Sequence, residues 1–168
     1  MRIVISKRCR ATQLIGDNDG FHLTIVPITG HNLFWITFYD RFTMKEITRA
    51  NDEFTRHEEY VPGIDELLDF SSSSLSELNQ KSIDIFRTLM KEQASRHDSR
   101  SAIVVNTELE YGLSRMLGSN LDSDAPVDRG IFYNIEDALA WLRPGETEEI
   151  MSRYNEAIDS NETFGPTG

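Results

Sequence analysis

Between Arg100 and Leu142 the chain alternates twice between two kinds of hydrophobic pattern, and no other feature restricts the fold as much. Ser101-Ala102-Ile103-Val104-Val105 is a short apolar run rich in β-branched residues. Thr107 to Leu117 follows, where Leu109, Leu113, Met116 and Leu117 recur at helical spacing. A spacer rich in Asp and Ser leads to Gly130-Ile131-Phe132-Tyr133-Asn134 and then to Glu136 through Leu142. Strand, helix, strand, helix is the order of an α/β layer, because helices that return between strands leave room for parallel pairing.

Upstream, Phe21, Leu23 and Ile25 alternate with His22, Thr24 and Val26, the period of a strand. Thr29-Gly30-His31-Asn32 supplies turn chemistry, and Leu33 to Tyr39 is a second β-branched and aromatic run, so the pair predicts an antiparallel hairpin. Leu33-Phe34-Trp35-Ile36 is apolar on both faces, which places this second strand inside the sheet. Another strand is expected over Ile64 to Phe70, after Pro62-Gly63, and Met1 to Ile5 is a candidate extra edge strand.

Helix starts are marked by capping boxes at Thr43…Glu46, Ser74…Glu77 and Thr107…Glu110, with a looser version at Asn134…Asp137. The first helix would bury Ile47, Ala50 and Phe54; the second, Leu75, Leu78, Ile85, Phe86 and Leu89. The fold class is therefore α/β: a single domain with a mixed sheet, an N-terminal antiparallel hairpin and then βαβαβα. At 168 residues one such domain can bury roughly 70% of its unfolded surface. Its span is expected to be 1–145, with an edge strand and loop within 1–20. Arg143-Pro144-Gly145 stops the last helix of that unit. Residues 146–168 form an acidic tail, where Ile150, Met151, Tyr154 and Ile158 suit a short docked helix or a frayed segment, with disorder expected over 159–168. Trp141 is expected to be a core residue beside Leu68, Ile103, Val105, Ile131 and Leu139.

Several functional classes are disfavoured. A net charge of −11 opposes nucleic-acid binding, since phosphate contacts supply most of that affinity. No apolar run is long enough for a transmembrane helix, and no secretory leader is evident; the expected setting is cytoplasmic. Cys9 is the only cysteine, so no internal disulfide can form. His57-Glu58 begins a zincin pattern that fails at Val61, and His22, His31, His57 and His97 show no ligand spacing, although His22 and His31 could meet across the hairpin. Asp17-Asn18-Asp19-Gly20 reads as a turn that lacks the later calcium ligands. Asp65, Glu66 and Asp69 are three carboxylates on one strand, with Glu66 on the face opposite the other two. No metal, no cofactor and no catalytic constellation is expected. Ser71, Ser72 and Ser73, with Ser74 as a helix cap, read as a polar loop between a parallel strand and a helix N-terminus, where open α/β sheets bind ligands and anions.

Gly63 to Leu142 resembles the SpoIIAA-like branch of the STAS-type fold, itself related in fold to CRAL-TRIO lipid-binding domains. The resemblance rests on Leu67-Leu68-Asp69-Phe70, Ala102-Ile103-Val104-Val105, Tyr111-Gly112-Leu113-Ser114-Arg115-Met116 and the ending Ile131 to Leu142. STAS antagonists carry an Asp-Ser-Ser-Gly-like stretch at the strand-to-helix loop, phosphorylated by a partner kinase; here the loop has neither an Asp immediately before a serine nor a Gly after Ser74. What the resemblance implies is a non-enzymatic regulatory or protein-binding module acting near Ser71–Ser74. The alternative is a protein for small apolar ligands or lipids, with a cavity under the helices lined by Phe38, Phe42, Met44, Tyr111 and Met116. The partner would be a regulatory protein or an apolar small molecule, and self-association is left open.

Overall fold

A computed structural model describes residues 12–15, 22–41, 43–74, 81–82, 84–85, 88, 98–108, 111–112, 115 and 128–162. Six strands form one sheet in sequence order: β1 (Thr12–Ile15), β2 (His22–Ile28), β3 (Leu33–Arg41), β4 (Asp65–Ser74), β5 (Arg100–Val104) and β6 (Asp128–Phe132). β1, β2 and β3 pair antiparallel, and β3 through β6 pair parallel. The predicted hairpin is there, with Ile25 opposite Ile36 and Val26 opposite Trp35. Its two-sided apolar strand lies between β2 and β4, buried from Leu33 to Phe38. An edge strand lies at Thr12–Ile15; Met1 to Ile5, where one was expected, and the Asp17–Gly20 turn lie outside the described residues.

Helix α1 (Met44–Arg56) joins β3 to β4. Thr43 starts it, with its hydroxyl accepting from Lys45 N and its carbonyl from Ile47 N. Ile47, Ala50 and Phe54 form the buried stripe, the two larger side chains contributing roughly 1.5–3 kcal/mol each. Helical residues also occur at 81–82, 84–85 and 88, between β4 and β5, and at 108, 111–112 and 115, between β5 and β6. In the first of these, Ile85 is exposed, contrary to its expected inward place; Leu75, Leu78, Phe86 and Leu89 are outside the described residues. Helices α2 (Ile135–Leu142) and α3 (Thr147–Glu162) follow β6. Asn134 caps α2 by accepting from Asp137 N at 2.8 Å.

Strand alternation sends side chains to two cores. On one face, Leu23, Phe34, Ile36, Leu68, Phe70, Ile103 and Val105 meet α1, with Tyr111 and Ile131 against them. On the other, Val26, Ile28, Leu33, Trp35, Leu67, Ala102 and Val104 meet α2 and α3. This division corrects the expected surroundings of Trp141. Leu68, Ile103, Val105 and Ile131 lie across the sheet from it, and of the five expected neighbours only Leu139 shares its core. The ring is half-buried against Phe132, centroids 5.6 Å apart, with the Arg100 guanidinium 5.6 Å above it.

The segment after Pro144 belongs to the domain. Ile150 and Ala157 are buried, Tyr154 stacks on Trp35 at 3.9 Å, and α3 continues through Glu162, beyond the start of the expected disorder at 159. The stripe at 150, 154 and 158 covers an apolar surface of β2 and β3, as a docked helix would.

Candidate functional site

Parallel strands β3, β4 and β5 all end at one edge of the sheet, the edge where α/β proteins bind ligands. At that edge β4 does not give way to a loop. After a register shift between Thr37 and Tyr39 it runs on through all four serines, pairing Tyr39 with Ser72, Asp40 with Ser73 and Arg41 with Ser74. The expected Ser71–Ser74 loop is thus a strand extension, held by the backbone of a long β3 that local serine chemistry could not reveal. Leu75 to Gln80, and with them the helix start, lie outside the described residues.

Side chains fix the extension further. Asp69 Oδ1 accepts from Ser71 N at 3.0 Å and from Ser71 Oγ at 2.6 Å. Asn106 Nδ2 donates to Ser71 O at 2.6 Å, and Ser73 Oγ donates to Phe70 O at 3.1 Å. Ser72 is exposed, while Ser71 and Ser73 are half-buried. Asp69 itself is buried on the face covered by α3, where Thr37 Oγ1 and Tyr154 Oη lie 2.7 Å apart. Burial is the main influence on the Tyr154 hydroxyl and raises its pKa far above the ordinary range, with the nearby Tyr39 and Asp69 adding to it, so it stays protonated. On the same face His22 stacks on Tyr39 at 4.6 Å. His22 Nε2 and Trp35 Nε1 are buried with no hydrogen-bond partner among the described residues.

The three carboxylates of β4 separate as their alternation implied. Asp65 accepts from Arg100 N at 2.6 Å and pairs with Arg143 Nη1 at 2.5 Å. Glu66 faces the other way and accepts from Ser101 Oγ at 2.9 Å; burial raises its carboxyl above the ordinary range, opposed by that hydrogen bond and by Arg129. Asp69 serves Ser71. They do not converge, so they make no acid–base pair. The histidines are dispersed as well. His22 begins β2 opposite Tyr39 while His31 is in the turn at the other end, so the two do not meet; His57 lies edge-on to Phe34. His97 is outside the described residues. Among the described residues no group of three or more His, Cys, Asp or Glu could hold a metal, and no helix is long and apolar enough to cross a membrane.

Of the expected ligand-pocket residues, Phe38, Met44 and Tyr111 belong to or pack against the α1-side core. Phe38 is buried and stacked on Phe70 at 4.4 Å, Met44 is partly buried, and Tyr111 stacks on the exposed Tyr133 at 4.9 Å. Phe42 and Met116 lie outside the described residues. A separate open pocket of about 320 Å³ lies beside the β2–β3 turn, lined by Ile28, Thr29, Phe34, Glu59, Val61 and Ile64 among others; Phe38, Met44 and Tyr111 are not part of it.

Sequence reasoning missed the roles of Asn106, Thr37 and Tyr154 at this edge, and of Arg143 at the opposite one. Tyr154 was legible as part of the 150–154–158 stripe; the other three carry no local pattern, because their partners are more than 30 residues away.

No protein-family profile matches the chain, and no curated protein does. Among solved structures it is similar to an uncharacterised protein of the DUF3478 family with a SpoIIAA-like fold from Shewanella loihica. The two are 16% identical over 82% of this chain and 97% of that one, with a TM-score of 0.46.

Proposed function

We propose that the protein is a non-enzymatic regulatory module that binds another protein through the carboxyl edge of its parallel strands, with Ser71, Ser72 and Ser73 at the contact. One observation carries this reading: the serines are displayed on a strand fixed by β3, Asp69 and Asn106, with Ser72 facing outward. A rigid polar rim can be recognised without the ordering cost that a flexible loop would add on binding. The geometry also distinguishes the serines. A phosphate on Ser71 would confront the Asp69 carboxylate that its hydroxyl now serves, whereas one on exposed Ser72 would project into solvent and change only the contact surface.

The test compares affinity capture from the native host by wild type, Ser72→Arg and Ser152→Arg, the last on the exposed side of α3. Loss of the same bound proteins in Ser72→Arg alone, with unchanged melting of both variants, is the expected result. Identical bound sets in all three would refute the reading. Mass spectrometry of the Ser71–Ser73 peptide from native protein tests the modification, and phosphate on Ser71 in place of Ser72 would overturn the distinction between them.

A further inference from the structure

His31 sits in the β2–β3 turn with its side chain only 8% exposed, between two glutamates at the start of α3. Nδ1 lies 2.5 Å from Glu146 Oε2, and Nε2 lies 3.4 Å from Glu149 Oε1. The two nitrogens point away from each other, so the ring and both carboxylates cannot share one ion. Ionised carboxylates only accept hydrogen bonds. A neutral imidazole has one N–H and an imidazolium has two, so both contacts are satisfied together only when His31 is charged.

We propose that His31 is a proton-operated clasp on α3: charged, it ties the hairpin turn to both glutamates, and on losing its proton it frees one of them and lets the start of the helix open. Other charged groups frame the contact. From the α2–α3 link, Arg143 Nε donates to His31 O at 2.8 Å and Nη2 to Asn32 O at 3.0 Å. From α3, Arg153 Nη1 donates to Thr29 O at 3.3 Å and Nη2 to Glu149 at 2.8 Å. From β4, Asp65 pairs with Arg143, and from the α1–β4 link Glu59 accepts from Thr29. The arginines keep their charge throughout, so they hold the turn in place while the histidine contact switches. Arg153 also lowers the Glu149 pKa, chiefly by its hydrogen bonds, so Glu149 remains a pure acceptor across the histidine range. What α3 covers is the Trp35–Thr37 surface, through Tyr154. The clasp thereby connects pH to access to the polar face beside Asp69.

Hydrogen exchange on peptides within 147–157 tests the proposal, at pH 5.5 and pH 8 and corrected for intrinsic rates. Protection in wild type is expected to fall on the order of three- to tenfold at the higher pH, the worth of one charge-assisted hydrogen bond partly open to water. His31→Gln should abolish the difference. Glu149→Gln, at an exposed position, should abolish it too, because an amide can accept from an N–H or donate to a bare ring nitrogen. Should His31→Gln not fold, the Glu149→Gln result decides. Equal wild-type protection at both pH values, or a response that survives in either variant, overturns the proposal.

Discussion

Replacing Arg143 by Ala is expected to be among the most costly single changes outside the apolar core. The guanidinium donates to His31 O, Asn32 O, Leu142 O and Asp65 Oδ2, so it connects the β2–β3 turn, the start of β4 and the end of α2. Asp65 is 7% exposed, and stripping one partner from a buried ion pair usually costs about 3–5 kcal/mol. Two features reduce that figure here. Asp65 keeps the Arg100 N–H at 2.6 Å and the Arg100 Nε at 3.7 Å, and the Arg143 side chain is 15% exposed, which lets water reach the gap. A loss of about 2–4 kcal/mol is therefore expected, against a typical total stability of about 5–15 kcal/mol. Urea unfolding of wild type, Arg143→Ala, Asp65→Asn and the double variant would give both the loss and the coupling. The coupling should be about 1–3 kcal/mol, since the two groups touch. Arg143→Lys, which keeps the charge but not the planar fork, should lose less than Ala and still fall short of wild type. A loss below about 1 kcal/mol for Arg143→Ala, or single losses that simply add, would refute the reasoning.

Glu66→Gln should stabilise the protein at neutral pH, because burial raises the Glu66 carboxyl while Ser101 needs only an acceptor, which Gln retains. The sign follows from proton uptake: the folded state holds its proton above about pH 4.3 where the unfolded chain has released it, so wild-type stability falls as pH rises through that window. Thermal melts should show a gain at pH 7 that shrinks toward pH 4, and a gain independent of pH would contradict this. Tyr154→Phe should cost about 0.5–1.5 kcal/mol, leaving Thr37 Oγ1 without its partner, and Tyr154→Ala about 3–5 kcal/mol by also removing the ring stacked on Trp35. Equal losses in the two variants, read by chemical denaturation, would show that the stack contributes nothing.

What was legible in the sequence follows from the range of the interactions involved. Alternation and helical spacing report which side of an element is apolar, so the hairpin, the parallel strands and the Ile47–Ala50–Phe54 stripe were all readable from short windows. The faces were harder. Trp141 was expected to be a mostly buried core residue and is half-buried, because which strand residues it meets depends on whether α2 covers the odd or the even side of β6. Here it covers Gly130 and Phe132. A Cβ at Gly130 would lie 2.5 Å from the Phe132 ring and 3.4 Å from Trp141, so the glycine leaves room for the two aromatics on that side.

The serine segment failed as a loop for a related reason. Four serines in a row have little strand preference of their own, and a local reading has only composition to use. Their conformation comes from outside: β3 is long enough, after its irregularity at Thr37/Tyr39, to supply pairing partners as far as Ser74. Asp40 adopts a left-handed backbone at φ 59°, beside that shift. An element imposed by tertiary pairing persists only while its partner strand does. It follows that the serine edge and the stability of β3 are one problem: a change that weakens Tyr39–Arg41 should disturb the serine rim even though it touches none of the serines. The same logic applies at the opposite edge, where Arg143, invisible to any motif, holds the turn on which the His31 clasp is mounted.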